Sequence, residues 1–166
     1  MSPRLAPGAG TLVAAALALA LSGCSSVAGS DSPEAVRDEG GAVVTAGYVD
    51  AFSVRAGDCL LEPDGGRVAD VDVVPCGEVH DLEVFHGFAQ PGDDYTSRNT
   101  LLAQAEAGCE SQFAAAIGIS YGDSALEYRS LVPSEVSWRH GDRTILCAVF
   151  DPAAGPSAGS LLGTAR

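Results

Sequence analysis

Apolar positions along this chain follow three different patterns. From Leu12 to Leu21 ten residues are uninterrupted by charge or strong polarity. Further on, short segments alternate apolar and polar residues with the period of two expected of half-buried strands. Ala51-Phe52-Ser53-Val54-Arg55 is one, stopped by Ala56-Gly57-Asp58. Val68 to Val74, rich in β-branched residues and broken by Asp70 and Asp72, is a second, and Leu82 to Phe88 a third. Leu126 to Val132 and Thr144 to Phe150 are two more, separated by the turn-rich stretch Pro133–Asp142. Between these strands the period changes. Leu101, Leu102, Ala105, Cys109, Phe113 and Ala116 form one apolar face of a helix from about Ser97 to Ile117, with Gln104, Glu106 and Glu110 facing water. Thr96 or Ser97 is placed to cap its start and Gly118 its end. One amphipathic helix among strands predicts an α+β domain, a small antiparallel sheet with the helix packed on it.

The early apolar run is too short to span a bilayer. As a helix it rises about 15 Å, roughly half of a hydrocarbon core. With Arg4 before it, and Leu21-Ser22-Gly23-Cys24 after it, the segment reads as a signal peptide over residues 1–23. Those last four residues resemble the lipobox of bacterial lipoproteins, which implies thioether diacylation of Cys24 and cleavage before it. Two acyl chains give stable anchoring where one is marginal. The expected location is the extracytoplasmic face of the cell membrane. Residues 24–50, rich in Ser, Gly, Ala and acids, read as a flexible tether. Residues 51–151 read as the domain and 152–166 as a disordered tail.

Charge narrows the function classes. The 166 residues carry 22 Asp and Glu against 9 Arg and no Lys, a formal net charge of −13. A chain without a cationic stripe has no means of displacing phosphate counterions, so nucleic-acid binding is excluded.

Apart from Cys24, four cysteines remain, an even number in a chain read as exported, where thiols pair. Three connectivities are possible. Cys109 lies on the apolar helix face and Cys147 in the last strand on the side of Ile145 and Val149, so helix-to-sheet packing favours that pair. Cys59 and Cys76 would then pin neighbouring strand ends. A zinc site would need a C-x-x-C type of spacing that this sequence lacks.

Three constellations bear on chemistry. Gly118-Ile119-Ser120-Tyr121-Gly122 is a literal G-x-S-x-G, but it follows a helix and precedes a strand, the inverse of the hydrolase context. His80-Asp81-Leu82-Glu83-Val84-Phe85-His86 gathers imidazole and carboxylate groups. On an ideal strand, however, His80, Leu82, Val84 and His86 point one way and Asp81, Glu83 and Phe85 the other. Trp138, with Arg139, His140 and a Gly-Asp turn behind it, has the composition of a binding hot spot. His80, Glu83, Trp138 and Arg139 are therefore the candidate binding residues. No catalytic residue, cofactor or metal ligand is assigned.

Gly57-Asp58-Cys59-Leu60, Val74-Pro75-Cys76, His80 with Glu83-Val84-Phe85, Cys109 on a helix, Pro133, Trp138, Gly141-Asp142-Arg143 and Cys147 together resemble the actinobacterial septum-formation domain family. The similarity covers about residues 52–150, with Val79 standing where relatives commonly carry Pro. The resemblance implies involvement in the cell envelope and division septum and no established catalytic residues. The expected function is that of a membrane-anchored binding or scaffolding module whose partners are envelope or division proteins. The alternative is a small envelope hydrolase or metal-dependent enzyme using the His80, Asp81 and Glu83 region, with His140 as a further candidate.

Overall fold

The structure, a computed structural model, describes residues 33–62 and 70–166. The signal peptide, Cys24 and residues 25–32 of the expected tether lie outside the described residues. From Pro33 onward the tether expectation is corrected, because three short strands form: β1 (Val36–Arg37), β2 (Val43–Thr45) and β3 (Gly47–Asp50). Asp38 turns the chain between the first two, its carboxylate accepting the Ala42 N–H at 2.9 Å and its carbonyl the Gly41 N–H. A long-range ion pair holds this segment down. The Arg37 guanidinium donates to both carboxylate oxygens of buried Asp58, at 2.5 and 2.8 Å, the two-pronged geometry that makes Arg–carboxylate pairs strong. Asp58 also receives the Arg55 N–H at 3.0 Å.

The strand expected at Ala51–Arg55 is instead a 3-10 turn over Ala51–Ser53. Asp50 outcompetes extended structure there, since its side chain accepts the Phe52 N–H and its carbonyl the Ser53 hydroxyl. Next come β4 (Cys59–Leu60), β5 (Asp70–Val74), β6 (Val79–His80) and β7 (Leu82–Ala89). The helix α1 (Arg98–Ile117) follows, then β8 (Glu127–Leu131), a single helical turn α2 (Glu135–Arg139), β9 (Thr144–Phe150) and β10 (Ser157–Ala158). The turn α2 sits where only a loop was expected. Its start is legible after the fact, as Ser134 and Ser137 form a reciprocal capping box.

Six strands make one sheet in the order β3-β5-β4-β7-β9-β8, every neighbouring pair antiparallel. The helix α1 lies on one face. It buries Leu101, Ala105, Cys109, Phe113 and Ile117, one residue every four positions, and is capped by Ser97 and by Gly118 at φ +97°. Gly108 permits a close approach: a Cβ there would stand 2.4 Å from the Phe88 ring. Two disulfides staple this arrangement. Cys109–Cys147 joins the helix to β9 with Cα atoms 5.5 Å apart, and Cys59–Cys76 joins β4 to the turn after β5 at 5.3 Å. Each such bridge contributes roughly 2–4 kcal/mol.

The sheet has two apolar faces. Phe85, Phe113, Leu126, Cys147, Val149 and Leu161 pack on the helix side, and Val49, Leu60, Val73, Val84, Leu146 and Ala148 on the other, partly covered by Val43 and Val54. A bulge redistributes β7 between them, for Val84 pairs with Ala148 while His86 pairs with Cys147. Beyond the bulge the alternation is inverted. Phe88 joins the helix side and His86 stacks on it, with ring centroids 5.8 Å apart.

The expectation of a disordered tail is corrected as well. β10 pairs with β6, Leu161 is buried, and the Gly163 and Ala165 N–H groups donate to Ala116 and Ile117 carbonyls at the end of α1. What orders it is non-local: buried polar groups of the domain need the donors that this segment brings. Asp151 fastens its beginning, accepting from the Ala153 and Ala154 N–H groups and pairing with Arg166.

Leu161→Ala should therefore cost about 2–4 kcal/mol in urea unfolding, as for a core leucine, and a loss below ~0.5 kcal/mol, typical of a surface position, would contradict a packed tail. The tail also carries an acid dependence. The backbone N–H groups of Ala154 and Ala153, and then Arg166, hold the Asp151 carboxyl below the ordinary carboxylate range. A carboxylate depressed in the folded state stabilises it above the unfolded value of about 4, and that contribution disappears as pH falls through the depressed value. Asp151→Asn should flatten the loss of stability in acid, and an unchanged acid profile would count against this role.

Candidate functional site

Polar groups are buried together where β4, β6, β7 and the tail meet. Asp81 interrupts the strand between β6 and β7, its carboxylate accepting the Glu62 N–H at 2.8 Å and its own N–H donating to the Leu60 carbonyl. The interruption brings His80 to the side occupied by Glu83, not to the opposite side as an ideal strand would. A ring nitrogen of His80, a Glu83 carboxylate oxygen and Cys59 Sγ all lie within 4.8 Å of one another. His80 and Glu83 are each 2% exposed and Cys59 is fully buried.

Each member has defined partners. Glu83 accepts the Ser160 hydroxyl at 2.7 Å and the Leu161 N–H at 2.6 Å. His80 Nδ1 lies 2.9 Å from the Glu78 carbonyl. A carbonyl only accepts, so Nδ1 carries the proton, and in a neutral ring Nε2 is then a bare lone pair. That Nε2 is a buried polar atom without a hydrogen-bond partner among the described residues. In the oxidised protein Cys59 is bonded to Cys76 and is not a thiolate ligand.

Trp138 and Arg139 are elsewhere and serve other ends. Trp138 is buried, its indole N–H donating to the Asp93 carbonyl at 2.8 Å. The Arg143 guanidinium stands 4.0 Å over its ring and Tyr95 meets its edge at 5.8 Å. The Trp138 side chain thus fastens the linker before α1 to α2, and its ring is not presented to a partner. Arg139 is exposed and pairs with Glu135 one turn away, an arrangement worth little in water. Ser120, of the G-x-S-x-G stretch, donates its hydroxyl to Asp123 at 2.6 Å within a turn after α1. His140 lies at the end of α2, on the sheet face away from His80 and Glu83.

That second face holds a feature the sequence analysis missed. An open groove of about 760 Å³ runs over the part of the sheet that the N-terminal strands leave uncovered. Leu60, Val71 and Leu146 form its floor, Phe52 and Val136 its sides, and His140 and Asp142 lie on its rim. Phe52 and Val136 are 53% and 58% exposed, large apolar residues that water would disfavour singly and that here share one concavity. The only trace in the sequence is that both stand in polar turns, Phe52 after Asp50 and Val136 inside Ser134–Ser137. A groove of this size, apolar with a few polar groups at the rim, has the proportions of a binding site.

Among the described residues no helix is long and apolar enough to cross a membrane. No curated protein and no solved structure matches the chain. The family model described as septum formation matches residues 56–166, which takes in both disulfides, the buried His80–Glu83 junction, the floor of the groove and the ordered tail. The chain belongs to the septum-formation family.

Proposed function

We propose that this protein is a membrane-anchored, extracytoplasmic binding module of the cell envelope that acts in septum formation by docking a partner protein in the groove on the open sheet face. The observation that carries the reading is the groove itself, an apolar surface bounded by Phe52 and Val136 on a domain otherwise covered on both faces. Its occupant is a segment of an envelope or division protein presenting apolar side chains flanked by basic residues. Apolar side chains match the floor, and basic flanks match Asp142 at the rim and a net charge of −13. The lipid on Cys24 supplies the second half of the mechanism. Confinement to the membrane surface raises the effective concentration of the module for membrane-associated partners without any new contact.

The test is crosslinking of the lipidated protein in its native membrane, with two variants beside it. Cys24→Ser should release the chain into the soluble fraction, and persistent membrane association would overturn the anchor. Val136→Asp places a charge on the groove wall at an exposed position, where fold stability changes by no more than about 0.5 kcal/mol. It should remove the envelope or division proteins captured by the wild type while leaving the unfolding midpoint in place. Capture of the same proteins at the same yield by Val136→Asp would overturn the groove as the docking site.

A further inference from the structure

The junction of β4, β6 and β7 is unaccounted for by a docking role on the opposite face. We propose that Cys59, Cys76, His80 and Glu83 form a redox-gated site for a thiophilic divalent cation of the zinc type, closed while Cys59–Cys76 is a disulfide and opened by its reduction. The inference is independent of the groove and of the reading built on it.

Three observations converge on this site. The first is the orientation of His80. Its Nδ1–H is spent on the Glu78 carbonyl, which leaves Nε2 buried and unpartnered. A buried polar atom without a partner is uncommon and calls for an explanation. A metal-binding histidine has this pattern, one ring N–H fixed by a backbone carbonyl and the other nitrogen free for the ion. The second is the neighbourhood. A His80 nitrogen, a Glu83 oxygen and Cys59 Sγ lie within 4.8 Å of one another, all from residues at most 2% exposed. Tetrahedral zinc, at about 2.3 Å from sulfur and about 2.0–2.2 Å from nitrogen or oxygen, sets its donors about 3.3–3.8 Å apart, a closing of at most about 1.5 Å that release of the disulfide permits. Glu83 already accepts from Ser160 and Leu161, but a carboxylate offers about four lone-pair sites, so both bonds can persist. Hydrogen bonds of that kind are what orient a ligating carboxylate.

The third observation is the gate. Cys59 is fully buried, whereas Cys76 is the one cysteine of the four that is partly exposed, so this bridge is the one nearer to an incoming thiolate. Both sulfurs of the other bridge belong to fully buried residues, Cys109 and Cys147. Exchange rates follow access, so mild reduction selects the first bridge and leaves the helix stapled to the sheet. The reaction balances with a dithiol as reductant. The Cys59–Cys76 bond breaks, two electrons and two protons pass to the two sulfurs, and the dithiol becomes a disulfide. Zinc then displaces both thiol protons. Cys59, His80 and Glu83 are already gathered, and Cys76, released beside Cys59, has only to turn its sulfur inward to complete a set of two thiolates, an imidazole and a carboxylate, the kind that selects zinc. No C-x-x-C pair is needed, because β4 and the turn after β5 bring Cys59 and Cys76 together from 17 residues apart.

The experiment uses the full chain, reduced by an immobilised dithiol that is removed before metal is added, under exclusion of oxygen. Alkylation mapping should find Cys59 and Cys76 freed and Cys109–Cys147 intact. Titration with Co²⁺ as the probe should then give one ion per chain, with thiolate-to-cobalt charge-transfer absorption that excess Zn²⁺ abolishes. The oxidised chain should show none. His80→Ala, its fold first verified by circular dichroism in the oxidised state, should weaken binding at least tenfold. Cys76→Ser, which leaves Cys59, His80 and Glu83 in place, should do the same and serves as the second variant should His80→Ala not fold. Absence of charge-transfer absorption in the reduced wild type would overturn the proposal, and so would undiminished affinity in whichever variant folds.

Discussion

A carboxylate in the interior must be surrounded by donors, and Glu83 is such a carboxylate at the centre of this sheet. It stands across from Cys59 on one neighbouring strand and from Val149 on the other. Burial of an acidic group without partners costs far more than one small domain can bear. The donors come from Ser160 and Leu161, 77 and 78 residues further along the chain. The requirement draws the C-terminal segment back across the domain, pairs β10 with β6, buries Leu161 beside the helix and closes water out from His80. The tail is thus a structural part of the domain, held to β6 in a two-stranded ladder of its own beside the main sheet.

A second long-range carboxylate contact shapes the opposite face. Asp58, in the turn before β4, is buried and held by Arg37, which fixes the N-terminal strands over part of the sheet. Cover supplied in this way is incomplete. It buries Val43 and Val54 against the sheet and leaves the surface over Leu60 and Leu146 as a groove between Phe52 and Val136. The helix face, by contrast, is sealed by Phe85, Phe113, Tyr121 and Tyr128 in mutual edge contact and by the Cys109–Cys147 bridge. One face of the domain is therefore sealed and the other keeps an open apolar groove. The buried junction at Cys59, His80 and Glu83 lies on the sealed side.

Much of the frame was legible in the residues themselves. The period of Leu101, Ala105, Cys109 and Phe113, with Ser97 and Gly118 at the ends, marks α1 almost to the residue, and Thr144–Phe150 is the strand that its β-branched composition predicts. These signals are local: helix and strand periods, caps and turns act between residues a few positions apart. The cysteine pairing was accessible by the same logic, since once faces are assigned to α1 and β9 the partner of Cys109 follows. The family resemblance was carried by short motifs around those same cysteines.

Apart from the disulfides, what depends on a partner far along the chain was decided by the tertiary structure alone. No local pattern says that Arg37 will find Asp58, or that Ser160 and Leu161 will find Glu83, and so the segments on either side of the expected domain read as tether and tail. The bulge after Val84 moves His86 and Phe88 to the helix side, and the bend at Asp81 does the same for His80, because both respond to the pairing of neighbouring strands. The groove is the extreme case. It is the space left between elements, and Phe52 and Val136 acquire a common role only when the fold places them on either side of it. Local patterns thus determined the helix and the longer strands, with the cysteine pairing and the motifs of the family built on them, while the satisfaction of buried carboxylates and the incomplete cover of one sheet face determined which polar groups lie inside and which apolar surface stays open.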